Sequence, residues 1–387
     1  MRFTAEHDQF RQTVRQVIDR EINPQVDQWE ADGCFPAHEL FAKLGAAGLF
    51  GLEYDPAFGG QGADHSFTVA LGEELGRIEA GGVSMAITVQ TDMATPSLHR
   101  FGTDGLKRQY LAPTCRGEMV SAIAVTEPDA GSDVAAIRTR AARDGDSWVI
   151  NGTKLYITNG TQADWLCLLV RTAEPGSADG GGYRGMSQIL VPTQAPGVRV
   201  SRTLDKLGNR CSDTAELSLD DARVPVANTI GTVGRGFQQQ MAQFQNERMI
   251  ACYVAWGQAR RAIDRTVEYL RERQVFGKPL IENQALQFEL ARLVADTEAL
   301  RQLNHGCADA YLAGKDTTRL ATIAKSLAGP LLRRVADVCL QFHGGIGYME
   351  ETWTARFFRD SRLLSIGGGA DEVMLRTLAR MEGFGSG

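Results

Sequence analysis

"SWVINGTKLYIT", residues 147–158, is the stretch on which the fold turns. Asn151–Gly152 is the dipeptide of a tight β-hairpin, and the β-prone residues on either side read as two strand-like halves. Further short runs bounded by turn residues follow: "WLCLLVRT" (165–172), "SQILVP" (187–192), "GVRVSRTL" (197–204) and "TAELSLDDARVP" (214–225). Between the first two, "EPGSADGGGYRG" (174–185) reads as a flexible hairpin tip. Residues 119–228 therefore form a compact β domain. They lack strand–helix–strand alternation, which argues against a dinucleotide-binding α/β fold.

Helical texture lies on both sides. In residues 1–118, Phe10, Val14, Val17 and Ile18 recur on one helix face, Thr4 is placed to cap the start, and Pro24 to end the element. "EYDPAFGGQGADHS" (53–66) is a glycine-rich loop, after which helical patterning resumes. From residue 229 to 387 the helices run long. One spans most of 236–277, two more follow, Gly344 and Gly345 close the last of these, and a final helix begins near Asp371. Long antiparallel helices joined by short loops mean a bundle. The expected class is α+β: an N-terminal α-helical domain (1–118), a middle β-barrel-like or sandwich domain (119–228) and a C-terminal four-helix bundle (229–387).

Composition narrows the function classes. A formal net charge of −6 over 387 residues offers no general attraction for nucleic acid or anionic lipid. No apolar run is long enough to span a bilayer, and the acidic, amphipathic N-terminus resembles no targeting peptide, so the expected location is cytoplasmic. The seven cysteines show no CxxC spacing and read as reduced, buried small hydrophobes. His305 and Cys307 lack two further local ligands, so no metal site is expected.

Four motifs, "AVTEPDAGSD" (124–133), "KLYITNG" (154–160), "ERQVFGKP" (272–279) and "QFHGGIGY" (341–348), occur in this helical, β, helical order. Over essentially the whole chain this resembles the acyl-CoA dehydrogenase family. The resemblance implies FAD, an acyl-CoA substrate, an electron-transfer flavoprotein as electron acceptor and a homotetramer or dimer. It implies removal of two hydrogens across the α,β bond, giving the trans-2-enoyl thioester: a carboxylate takes the α proton, and the β hydride passes to flavin N5.

By the same resemblance, Val125 and Thr126 contact the flavin ring, and Ser132 lies where the FAD phosphate and the acyl-CoA are approached. Thr158 faces N5 and Tyr156 packs on the ring. Arg273, Phe276 and Gln284 reach the adenosine and pyrophosphate of FAD held by a neighbouring subunit, and Gln341, Gly344 and Gly345 complete that site. Glu372 lies near the FAD adenosine. In "LGNRCSDTAEL" (207–217), Arg210 and Ser212 are candidates for the CoA channel, and "TVQTDMATPS" (88–97) matches a wall of the acyl pocket.

The base is displaced. Most relatives carry it in a C-terminal Tyr-Glu-Gly-Thr run after an Arg-Asp pair. Here "FFRDSRLLSIGGGADEV" (357–373) places Gly367 at the tyrosine, Gly368 at the glutamate and Ala370 at the threonine. A minority, including isovaleryl-CoA and long-chain types, take the base from the long bundle helix, where an acid precedes an arginine. "FQNERMIA" (244–251) has Glu247 and Arg248 there, Arg248 matching a residue near the CoA end. Glu247 is the expected base, with a pKa raised by desolvation. Asp371 and Glu372, expected to cap and charge the last helix, are the fallback. Gly368 keeps the backbone N–H that the family directs at the thioester oxygen.

"GGGADEV" with "QNERMI" looks most like the citronellyl-CoA dehydrogenase-like branch. Three small side chains would leave room for a methyl-branched chain; medium or long chains are the other substrates the resemblance allows. Two alternatives stay open: a flavin-dependent oxidase or carrier-protein-linked desaturase of the same fold, and a non-catalytic flavin- or nucleic-acid-binding relative.

Overall fold

The computed structural model describes residues 1–173 and 182–384. The predicted hairpin tip lies mainly at 174–181, outside the described residues. The chain begins with eight helices: α1 Ala5–Val17, α2 Val26–Asp32, α3 Ala37–Ala46, α4 His65–Leu75, α5 Gly81–Thr88, α6 Thr95–Phe101, α7 Asp104–Leu106 and α8 Ala112–Cys115. Thr4 opens α1, its N–H bonded to His7 Nδ1 at 3.1 Å. Pro24 does not end the helical path. The backbone passes through a widened turn at Ile18–Ile22 and a tight one at Asn23–Gln25 before α2. Proline is tolerated there because the first residues of a new turn need no N–H donor.

Eight strands form one sheet: β1 Ser121–Ala124, β2 Arg140–Asp144, β3 Ser147–Thr158, β4 Trp165–Arg171, β5 Met186–Pro192, β6 Val198–Thr203, β7 Thr214–Pro225 and β8 Thr229–Ile230. The order is β6-β7-β3-β2-β4-β5-β8, with β1 beside β4. The motif expected to be a hairpin is instead the single strand β3. It pairs with β7 throughout, and its register shifts between Ile150 and Gly152. Asn151 is held extended by side-chain bonds with Asp221. Gly152 is needed for close packing, since a Cβ there would lie 2.4 Å from Thr139 Oγ1. Asn151–Gly152 thus makes a bulge. The tight turn falls earlier, at Gly145–Asp146, with Asp144 paired to Ser147. A second shift lies between Lys154 and Ile157, where Tyr156 adopts φ +61°.

The bundle comprises α9 Gly236–Glu272, α10 Gln284–Leu312, α11 Thr318–His343, α12 Trp353–Ser361 and α13 Asp371–Met381. A small hairpin, β9 Gln274–Val275 and β10 Lys278–Pro279, separates α9 from α10. Among the described residues no helix is long and apolar enough to cross a membrane.

Two contacts fix α9 against the other parts. Its backbone meets α4 at glycines: a Cβ on Gly76 would lie 2.3 Å from the Gly257 carbonyl carbon. Its first turns carry Phe237 and Phe244 onto a cluster containing Val125, Leu169 and Met186 of the β domain. A third joint ties all three parts together, for Asp360 of α12 accepts from the N–H groups of Gly81 and Asn209, at 2.8 and 2.6 Å. Burial pushes its carboxyl up to about 6.

Inside the β domain, Lys154 is fully buried and donates to the Val125 carbonyl at 2.9 Å and to Glu127 Oε1 at 2.8 Å. Glu127 also accepts from the N–H groups of Arg138 and Thr139. Removing one partner of such a pair strands a buried charge, at about 3–5 kcal/mol. Lys154→Met should therefore lower the denaturant midpoint by a corresponding amount, and Lys154→Met/Glu127→Gln should recover part of it. An unchanged midpoint in the single variant would show that the pair is dispensable.

Candidate active site

Glu247 lies on α9 one turn beyond Phe244, half-buried, and faces the loop between α12 and α13. That loop carries the three glycines. Gly368 has φ +64°, and a Cβ built on it would lie 3.2 Å from Glu247 Oε1 and 3.7 Å from Lys325 Cε. The carboxylate thus occupies the space that a side chain at 368 would enter. Burial, the largest cause, raises the Glu247 pKa, while the charges of Arg248 and Lys325 oppose the rise. Among the described residues no hydrogen bond holds the carboxylate, so its oxygens are left to accept a proton.

The same geometry removes the argument for a branched substrate. The room at Gly368 belongs to Glu247, and at Gly369 it belongs to Met374, whose Cε would lie 2.5 Å from an added Cβ. Only Gly367 has slack, with Leu363 at 3.7 Å. The glycines make way for protein atoms.

Asp371 and Glu372 start α13 and place negative charge in its first turn, but they do not cap it. The cap position is Ala370, which has no side-chain bond. Asp371 pairs with Arg333 at 3.3 Å, and Glu372 is exposed.

Lys325 escaped the sequence reading. It is fully buried on α11 and donates to the carbonyls of Leu364 and Gly369, at 2.5 and 3.0 Å, one on each side of Gly367–Gly368. A signal was present, because Lys325 falls on the stripe of small buried residues Ala321, Ala324, Ala328 and Gly329. A lysine on such a stripe has no route to water.

On the β side the structure brings the two predicted motifs together. The Leu155 N–H donates to the Thr126 carbonyl at 2.9 Å, and Lys154 reaches the Val125 carbonyl. Val125 is buried, Thr126 and Thr158 are half-buried, and Ser132 is exposed at the following turn. Tyr156, forced into the left-handed region, leaves its ring 66% exposed. Holding a large aromatic in this backbone conformation costs of order 1–3 kcal/mol. Strict alternation from buried Lys154 would turn Tyr156 inward; the register shift and its left-handed backbone turn it out.

The remaining candidates separate into two groups. Arg273, Phe276, Gln284, Gln341, Gly344 and Gly345 all lie exposed around the far end of α9 and α11. Phe276, at φ +52° in the turn of β9 and β10, is completely exposed. From Glu247 to Glu272 is 25 residues of helix, roughly 38 Å, so this group and Glu247 do not share one small site. In the second group, Arg210 is exposed and pairs with Glu350 at 3.2 Å. Ser212 departs from expectation. It is 3% exposed and its hydroxyl donates to the Asn209 carbonyl, while Lys206 bonds its backbone carbonyl. Its polar groups are spent knitting the loop, so Ser212 is not placed to contact a ligand. Arg248, half-buried beside Glu247, has a buried Nε with no partner among the described residues.

Family models for the acyl-CoA dehydrogenase N-terminal, middle and C-terminal domains match residues 4–118, 122–222 and 234–382. The long-chain specific acyl-CoA dehydrogenase of Rattus norvegicus mitochondria is 32% identical over 378 residues, 98% of this chain and 86% of that protein. The crystal structure of an acyl-CoA dehydrogenase from Geobacillus kaustophilus is similar with a TM-score of 0.94 and 35% identity, over 98% of both chains. A glutaryl-CoA dehydrogenase from Mycobacterium smegmatis in complex with FADH2 is similar with a TM-score of 0.91 and 27% identity, over 100% of this chain and 96% of that one. Domain models along nearly the entire chain, together with these likenesses, place it in the acyl-CoA dehydrogenase family of flavin-dependent oxidoreductases.

Proposed function

We propose that the protein is an FAD-dependent acyl-CoA dehydrogenase in which Glu247 abstracts the α proton of the acyl thioester. One observation carries this reading: the Glu247 carboxylate stands 3.2 Å from where a side chain at Gly368 would begin, the position at which most relatives keep their base. When bound, FAD would supply the hydride acceptor. Val125, Thr126, Tyr156 and Thr158 would hold its ring, Tyr156 offering an exposed aromatic face. The open space beside Gly131, Gly344 and Gly345, where an added Cβ would meet nothing within 4 Å, fits close approach of a ligand to backbone.

The chemistry asked of the chain follows. A partly buried carboxylate binds a proton more strongly than one in water, which makes Glu247 the better base. The developing negative charge on the thioester oxygen needs donors, and Gly368, with no side chain in the way, can offer its N–H. The orphaned Arg248 Nε suits an anionic or polar part of the CoA ester. Ser132 and Arg210 are exposed enough to meet substrate. The roughly 38 Å between Glu247 and the C-terminal end of α9 favours a second subunit's cofactor as the partner of Arg273, Phe276, Gln284, Gln341, Gly344 and Gly345, with Glu372 beside the adenosine. A homotetramer or dimer, with an electron-transfer flavoprotein as acceptor, completes the reading.

Anaerobic titration with straight-chain acyl-CoAs of increasing length is the direct test. Glu247→Gln should reduce its flavin at least about a thousandfold more slowly, the upper range of what a positioned base contributes; wild-type rates would move the base to Asp371 or Glu372. Because burial raises the Glu247 pKa, reduction should rise with pH through a range above that of an ordinary carboxylate. A rate already maximal at the usual carboxylate range would contradict this. Gly368→Ala must adopt φ +64° and press on Glu247 Oε1, so reduction should fall about tenfold or more; an undiminished rate would show that the space is not contested.

A further inference from the structure

We propose that Lys325 is the positioning residue of this site: its ammonium group ties down both sides of the glycine loop and holds Glu247 charged against that loop. The inference rests on the reading of Glu247 as base.

Three features support it. Burying an ammonium group is costly unless acceptors and an opposite charge accompany it. The carbonyls of Leu364 and Gly369 supply acceptors on both sides of Gly367–Gly368, so a single side chain determines how residue 368 presents its N–H. Carbonyls supply no countercharge. The charged and titratable groups facing Lys325 are Glu247, Arg248 and Cys252 from α9 and Asp371 from the head of α13, while Cys307 of α10 lies beyond Cys252. Of the two acids, Asp371 pairs with Arg333 through Oδ2, while its Oδ1 is buried without a partner among the described residues. Glu247 is the one without a hydrogen-bonding partner among the described residues. The Lys325 stem also passes the reacting region, its Cε 3.7 Å from the Gly368 Cβ position. Burial lowers the Lys325 pKa, and Cys252, Asp371 and Glu247 in turn oppose that shift; Arg248 first and Lys325 after it oppose the upward shift of Glu247.

A lysine that only ties the loop and one that also sets the base's charge differ in one respect. Loss of the tie slows the reaction at every pH; loss of the charge moves its pH dependence. Lys325→Gln keeps a donor and removes the charge, Lys325→Arg keeps the charge, and Lys325→Met removes both, leaving a second charge-free variant if the glutamine does not fold. Each is examined as the FAD-loaded protein by anaerobic flavin reduction across pH. In parallel, the substrate-free protein is titrated by infrared spectroscopy of the protonated carboxyl band, assigned by its absence in Glu247→Gln.

In Lys325→Gln the expected result is reduction about tenfold slower at pH 7, recovered as the pH is raised. The carboxyl band should persist to higher pH than in the wild type, with Lys325→Arg close to wild type on both measures. A uniform fall at every pH, with the band titrating as in wild type, would overturn the proposal and leave Lys325 a loop tie. Failure of the underlying reading looks different: Glu247→Gln would then reduce its flavin normally, whatever the lysine variants do.

Discussion

One small volume cannot hold two side chains, and the meeting of α9 with the loop before α13 is arranged around that exclusion. Glu247 reaches across from α9 into the space beside residue 368. Any Cβ there would crowd the carboxylate and force a non-glycine residue into left-handed backbone. Glycine at 368 and glutamate at 247 are therefore a single choice. Gly369 serves the same packing from the other side, yielding to Met374.

The surrounding structure keeps those two residues in register. α9 is pressed against α4 through glycine contacts, its first turns are seated on the β domain by Phe237 and Phe244, and Asp360 joins all three parts. Lys325 of α11 fixes the loop through its bonds to the Leu364 and Gly369 carbonyls. The β domain uses the same device on its own motifs, where buried Lys154 binds a backbone carbonyl next to Thr126 and pairs with Glu127. In both places a buried ammonium group serves as a bracket for irregular backbone. Loops that approach a ligand cannot be stabilised by ladder bonds, and a buried lysine supplies donors where the backbone has none.

Much of this was legible in the sequence. Turn residues and β-prone runs located the sheet, the long periodic segments located the bundle, and the missing acid at 368 singled out Glu247, which the structure sets beside it. What the sequence misled on were positions where tertiary packing overrides a local signal. Asn151–Gly152 carries hairpin chemistry, yet the partner strand β7 and the neighbouring Thr139 make it a bulge. Ser212, a candidate for the CoA channel, is closed in by Asn209 and Lys206. The glycine run suggested room for a branched substrate because a sequence does not show which atoms fill a vacated volume. Lys325 was missed for the converse reason, since its charge suggested solvent while its neighbours on the helix were small and buried.

The measurement that bears most directly on this arrangement is anaerobic flavin reduction in a relocated pair. Glu247→Gly alone should lose reduction, and Glu247→Gly/Gly368→Glu, which hands the volume back to residue 368, should regain a measurable part of it with the same acyl-CoA. A Glu247→Gly variant that reduces its flavin at the wild-type rate would contradict the account.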